Sequence, residues 1–146
     1  MRIVVQRSLK SSVSVNSNIV GKIDFGLVLL VGFTHNDTQE DIDYMIHKLL
    51  HLRIFDDETG QMNKSILDIK GSILSISQFT LYGSTKKGNR PSYVEAMNFN
   101  EAKKLYDIFN NKLSEYIHVE TGIFGAEMEV SIINDGPVTI LLESGD

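Results

Sequence analysis

Gly26-Leu27-Val28-Leu29-Leu30-Val31-Gly32 is a continuous apolar run closed by glycine at each end. A run this short, with no polar alternation, reads as a central strand buried on both faces. Upstream, residues 2–7 read as another strand. Val13 and Val15, then Ile19 and Val20, flank the turn cluster Asn16-Ser17-Asn18 and predict a hairpin. Downstream, Thr38 precedes Asp41 at capping-box spacing, an acidic variant of the box with Asp where Glu or Gln is usual. Ile42, Met45, Ile46, Leu49 and Leu50 then form the stripe of an amphipathic helix. Asp56-Asp57-Glu58-Thr59-Gly60 reads as a turn. Residues 72–81 read as a strand and 82–91 as a polar loop. A second helix is expected over about 100–116, with Ala102, Leu105, Ile108, Phe109, Leu113 and Tyr116 on one side. Residues 127–134 and 138–143 read as the last two strands, with Asp135-Gly136 as a hairpin turn.

The order strands, helix, strand, helix, strands predicts an α+β fold. Its core is a curved, mostly antiparallel sheet, barrel-like, with two main helices. Two helices are too few to cover both faces of such a sheet, which predicts burial of the rest against a second copy. No repeat or linker divides the chain, so residues 1–146 are read as one domain.

There is no cysteine, which excludes a disulfide framework, a thiolate metal site and a cysteine nucleophile. No apolar run reaches membrane-spanning length, and the first residues show no signal-peptide core. A cytoplasmic location without membrane attachment is expected. The net charge of −5 argues against non-specific duplex binding, DNA included. Lys86, Lys87 and Arg90 are the densest basic patch, either a solvated loop or a local contact to one nucleic-acid end.

Several chemistries find no support. His47 and His51 have the i, i+4 spacing of a metal pair, but Lys48 stands where a zincin has Glu and no third ligand is evident. The 56–60 turn lacks the alternating ligands of a calcium loop. No Gly-rich phosphate loop and no Gly-x-Ser-x-Gly elbow occurs, and nothing aligns His35 or His118 with a Ser or Thr. No metal or cofactor is expected.

Two stretches are more informative. In Ser77-Gln78-Phe79-Thr80-Leu81, a strand would point Ser77 and Phe79 one way and Gln78 and Thr80 the other. Polar Gln78 and Thr80 then face solvent, the reading pattern alone favours, or line a pocket. In the second case the Phe79 and Thr80 N–H groups can serve as an oxyanion hole where the chain leaves the ladder. In Asn134-Asp135-Gly136-Pro137-Val138-Thr139, Pro137 stands at a strand start and Gly136 allows close backbone approach. The Gly136-Pro137 bond is also where a cis peptide is cheap.

With these residues the whole chain resembles the D-aminoacyl-tRNA deacylases, also called D-tyrosyl-tRNA deacylases, of the bacterial and eukaryotic type. The resemblance runs through Gln6-Arg7, Arg53-Ile54-Phe55, Gly60-Gln61-Met62-Asn63 and the 77–81 stretch. It continues through Lys87-Gly88-Asn89-Arg90-Pro91-Ser92-Tyr93, Thr121-Gly122-Ile123-Phe124-Gly125-Ala126-Glu127-Met128 and residues 134–139. Gln61, Tyr93 and Glu127 stand where the family often has Lys, Phe and Asp; none lies in the two signature stretches.

The resemblance implies a homodimer with active sites at the subunit interface. One subunit would supply the catalytic stretch Ser77, Gln78, Phe79 and Thr80. The other would insert Gly136 and Pro137, joined by a cis bond, as a chiral filter. The substrate would be a D-amino acid esterified to the 3′ end of tRNA, hydrolysed to free D-amino acid and tRNA. Glycyl-tRNA would pass the same filter. Lys86, Lys87 and Arg90 would touch acceptor-end phosphates. For the chemistry, direct attack by water is favoured over a Thr80 nucleophile, because no general base is evident beside Thr80. A binding module for free D-amino acids or nucleosides, and a general esterase indifferent to RNA, stay open as alternatives.

Overall fold

The computed structural model describes residues 1–145. Strands β1 (Arg2–Ser8), β2 (Ser11–Val15), β3 (Asn18–Ile23) and β4 (Gly26–Gly32) lead into helix α1 (Gln39–His51). Two short strands, β5 (Phe55–Asp56) and β6 (Met62–Lys64), and a single turn of helix α2 (Ile66–Ile69) follow. Then come β7 (Ser72–Ser77), a 3-10 turn (Phe79–Tyr82), helix α3 (Phe99–Leu113), β8 (Val119–Thr121), β9 (Glu129–Ser131) and β10 (Asn134–Glu143).

The main sheet has the order β10-β1-β4-β7-β8. β1 is antiparallel to β10 and β4, whereas β4, β7 and β8 run parallel. β3-β2-β9 form a second, antiparallel sheet, and β5-β6 a third. Antiparallel pairs predominate, as the sequence predicts, but the sheets stay separate and no barrel closes.

β4 explains the layering. Leu27, Leu29 and Val31 face the core built with Ile42, Met45 and Leu49 of α1 and Tyr106, Phe109 and Leu113 of α3. Val28 faces the other way and packs with Leu74 and Ile76 of β7 against Val13 and Ile23 of the second sheet. Both faces of β4 are therefore covered, which is why the run carries no polar alternation. The predicted hairpin is β2–β3; Asn16 and Ser17 take φ of 49° and 66°, the two positive angles of a type I′ turn. At α1 the Thr38 N–H donates to the Asp41 carboxylate at 2.8 Å. α3 starts at Phe99, with the Asn98 side chain accepting from the Glu101 N–H at 3.0 Å. It stops before Tyr116, which is exposed.

Two expectations fail. Residues 127–134 and 138–143 are not partners in a hairpin. β9 joins β2, its Val130 packing with the second core, while β10 joins β1 with Ile140 and Leu142 against the first. The two segments serve cores on opposite faces of the main sheet, so Asp135-Gly136 lies inside β10 and turns no hairpin. The strand expected over 72–81 ends at Ser77.

The second sheet covers only part of the face opposite the helices. Val4 and Leu141 are register partners there; Val4 is half-buried and Leu141 is 58% exposed. No helix among the described residues is long and apolar enough to cross a membrane.

Candidate active site

The chain leaves the main sheet at Gln78, whose N–H donates to the Val31 carbonyl at 2.7 Å. It then coils into the 3-10 turn, where the Leu81 N–H reaches back to the Gln78 carbonyl at 3.3 Å and the Gly83 N–H to that of Thr80 at 3.0 Å. The N–H groups of Phe79 and Thr80 precede these bonds and, as at any helix start, have no partner within the turn. Both residues are exposed. The strand alternation expected for Ser77 to Thr80 is thus replaced by a turn. Gln78 and Thr80 still meet, because the Gln78 side-chain amide donates to the Thr80 hydroxyl.

Arg2 fastens this turn from below. Its guanidinium donates to the Leu81 carbonyl at 3.0 Å, lies 4.5 Å from the Tyr82 ring centroid and pairs with Glu143 at 2.6 Å. Burial pushes the Tyr82 phenol well above its ordinary pKa, so it stays protonated. No histidine hydrogen-bonds to Ser77, Gln78 or Thr80 among the described residues. His35 bonds the Val94 carbonyl, His51 the His47 carbonyl, and His118 pairs with Glu120. Among the described residues of one chain, Thr80 therefore has no hydrogen-bonded imidazole.

A cavity of about 510 Å³ opens beside the turn. Ser77, Gln78 and Phe79 form one wall, while Met97, Phe99, Phe124 and Met128 make the rest largely apolar. Phe99 and Phe124 stack edge to face at 5.0 Å. Gly125, with φ of 80°, runs so close to Phe99 that a Cβ would fall 2.5 Å from its ring. Sequence reasoning missed these lining residues as a site. They come from separate segments, Phe99 from the first residue of α3 and Met97, Phe124 and Met128 from loops, and only the aromatic and thioether content of those stretches hints at them. Phe79 and Tyr93 meet edge to face at 5.1 Å at the rim. Beyond them the Ser84 and Ser92 backbones exchange two 2.8 Å hydrogen bonds, closing a loop that exposes Lys86, Lys87 and Arg90. None of these three forms an ion pair among the described residues.

The second stretch is a corner in β10. From Gln6 to Ser8, β1 advances two residues while β10 covers five, from Thr139 to Asn134, so extra backbone bulges out. The Gly136-Pro137 bond within it is cis, and Gly136 has φ of 116°. A Cβ there would stand 2.8 Å from both Arg7 Nη2 and Val138 Cγ2, so the corner requires glycine. Arg7 fills the space beneath. It is 8% exposed, donates to the Ile54 carbonyl at 2.9 Å, and pairs with Asp135 at 3.1 Å and Asp56 at 3.5 Å.

Within one chain the two stretches do not meet. Ser77 is level with Val31, Ile3 and Leu142 in the register, whereas the corner lies at the Gln6–Ser8 end of β1, beyond two intervening strands.

A turn that presents backbone N–H groups beside an apolar cavity is an arrangement able to polarise a bound carbonyl. The family model described as D-Tyr-tRNA(Tyr) deacylase matches residues 4–143, and the chain belongs to that family of hydrolases. It is 57% identical over 145 residues to a D-aminoacyl-tRNA deacylase of Bacillus cereus, covering 99% of each. The identity and coverage are the same for one of Bacillus cytotoxicus. Among solved structures it is similar to a c-Myc DNA Unwinding Element Binding Protein, with TM-score 0.95, 41% identity and full coverage of both chains. A probable eukaryotic D-amino acid tRNA deacylase shares the fold, with TM-score 0.85 and 19% identity over 97% of each chain.

Proposed function

We propose that this protein is a homodimeric D-aminoacyl-tRNA deacylase whose two active sites are each completed by the partner's Gly136-Pro137 corner. The observation that carries the reading is the placement of the two stretches at opposite ends of one sheet. Arg2, Val4 and Gln6 alternate on the face left partly open, opposite Glu143, Leu141 and Thr139. Arg2 holds the 3-10 turn at one end of this face, and Gln6 touches the corner network at the other. A two-fold axis near Val4 and Leu141 buries that apolar pair within its polar surround and lays each corner against the partner's turn.

The cavity takes the terminal nucleoside of the tRNA, and the ester carbonyl lies at the Phe79 and Thr80 N–H groups. Water attacks the carbonyl carbon, and these donors stabilise the developing oxyanion. The C–O bond to the ribose then breaks, its oxygen takes up a proton, and the free amino acid departs. The adjacent ribose hydroxyl helps polarise an ester that is already activated. Gln78 orients the Thr80 hydroxyl toward substrate or water.

D and L esters differ only in arrangement about Cα, so discrimination needs a stiff wall. The Gly136-Pro137 backbone, backed by Arg7, is that wall: it meets the D-substrate's amino group and leaves no room for an L side chain. Glycine has no side chain to reject and is hydrolysed too. Lys86, Lys87 and Arg90 contact acceptor-strand phosphates, and the enzyme works in the cytoplasm. The net charge of −5 gives no support to duplex DNA binding.

The test is hydrolysis of D-tyrosyl-tRNA, L-tyrosyl-tRNA and glycyl-tRNA side by side. Loss of the D and glycyl esters with the L ester spared is expected. Loss of all three keeps the hydrolase and discards the chiral filter. Loss of none by a folded dimer favours the binding-module reading.

A further inference from the structure

Arg7 supports the corner from beneath, but another side chain ties its two ends together. Asn134 is the first residue of β10, where the register breaks. Its side-chain amide donates to two carbonyls at 3.0 Å each, Arg7 on β1 and Val138 on the far side of the corner. Its carbonyl oxygen accepts from the Thr139 hydroxyl at 3.2 Å and the Gln6 amide at 3.3 Å. Gln6 also reaches the Thr139 hydroxyl at 3.3 Å, closing a three-membered ring of side chains. Both donors of the Asn134 amide and both lone pairs of its carbonyl are thereby engaged.

We propose that Asn134 is a specificity-determining positioning residue: by clamping the backbone on either side of residues 135–137, it fixes where Gly136 and Pro137 stand and so sets D-over-L selection. The proposal rests on the chiral-filter reading above. Two features separate this role from general stabilisation. β10 is held elsewhere, by unbroken register from Thr139–Gln6 to Glu143–Arg2 and by Val138, Ile140 and Leu142 against the core. The clamp also acts where the ladder cannot. At the bulge neither Arg7 nor Val138 has a partner in the β1–β10 register, and the Asn134 amide donates to both carbonyls. A wall that rejects by clash works only while it stays in place, and shifts near 1 Å change rates by about a hundredfold.

The experiment compares wild type with Asn134→Asp, which keeps the shape but loses both donors, and with Asn134→Ala. Thr139→Val, at an exposed position, serves as a milder variant if the others fold poorly. Hydrolysis of D- and L-tyrosyl-tRNA, thermal midpoint and hydrogen exchange over 134–140 are measured on each dimer. Expected for the Asn134 variants are a D-turnover loss of about threefold, a D/L ratio lowered at least about tenfold, and faster exchange confined to the corner. Thr139→Val shifts the ratio in the same direction by less. A D/L ratio that holds in folded variants, or D and L turnover falling in parallel with the thermal midpoint, overturns the proposal. Wild type that fails to discriminate overturns the chiral filter itself, and this role with it; a discriminating wild type beside unaltered variants overturns only the role of Asn134.

Discussion

The 3-10 turn at residues 79–82 and the corner at 134–139 are both departures from the same sheet, yet they are held in different ways. The turn is fixed mainly through its backbone: a ladder bond from Gln78, two bonds within the turn and Arg2 on a carbonyl. What it offers is N–H groups, with side chains at Phe79 and Thr80 left exposed. The corner is fixed by side chains: Arg7 beneath, Asn134 across, Gln6 and Thr139 beside. What it offers is shape. Side-chain changes should therefore be tolerated at the turn as long as its N–H groups survive, whereas at the corner each supporting side chain matters.

The widest effect is expected when each region is broken in a different chain. Phe79→Pro removes a turn N–H, and Gly136→Val forces a side chain into the Arg7 and Val138 contacts. Either homodimer should lose about a hundredfold or more in D-ester turnover. Random 1:1 mixing should restore about a quarter of wild-type activity, because half the dimers are mixed and each has one intact site. Co-refolding followed by a deacylation assay reads this directly, and absence of recovery breaks the cross-subunit pairing.

Within the turn, Phe79→Pro and Phe79→Ala separate backbone from ring. Proline is tolerated at a helix start, and Gln78 is already outside the helical region with φ of −148°. We expect kcat to fall about 10²–10³-fold for proline and less than about tenfold for alanine. Equal losses would assign the turn's contribution to the ring. Charge reversal of Lys86, Lys87 and Arg90 should raise KM for tRNA esters about tenfold, and lower the slope of log affinity against log salt by about 2. Simple aminoacyl esters should be unaffected. Smallest is Thr80→Ala, which should retain turnover within about tenfold; an acyl-Thr80 adduct seen by mass spectrometry would replace water attack with a covalent route.

Much of this was legible in the chain, unevenly. Local signals were reliable: β4 from its uninterrupted apolar run, α1 from Thr38, Asp41 and the Ile42 to Leu50 stripe, and the hairpin from Asn16 and Ser17. Pairing partners were not. Asp135-Gly136 has hairpin-turn chemistry, but Val130 and Ile140 belong to different cores, and that choice is made by packing distant in sequence. Ser65 and Asp68 formed an overlooked capping box, whose helix is a single turn. Ser77 to Thr80 and Gly136-Pro137 stood out as sequence, yet the lateral position of each depended on two intervening strands. Arg7 and Asn134 entered only as parts of longer stretches, because what they hold is set by tertiary pairing: the carbonyls of Ile54, Arg7 and Val138 and the side chains of Asp56, Asp135, Gln6 and Thr139 come together only through the β1–β10 register and its bulge.

The distance between the two regions within one chain has a consequence for dosage. On the reading proposed here, a lone protomer holds half of each of two active sites and the whole of neither. At concentrations well below the dimerisation constant, activity would rise with the square of the amount of protein, not in proportion to it. A cell making little of this chain would have almost no editing, and modest induction would switch it on steeply, with abundance serving as the regulator and no effector required.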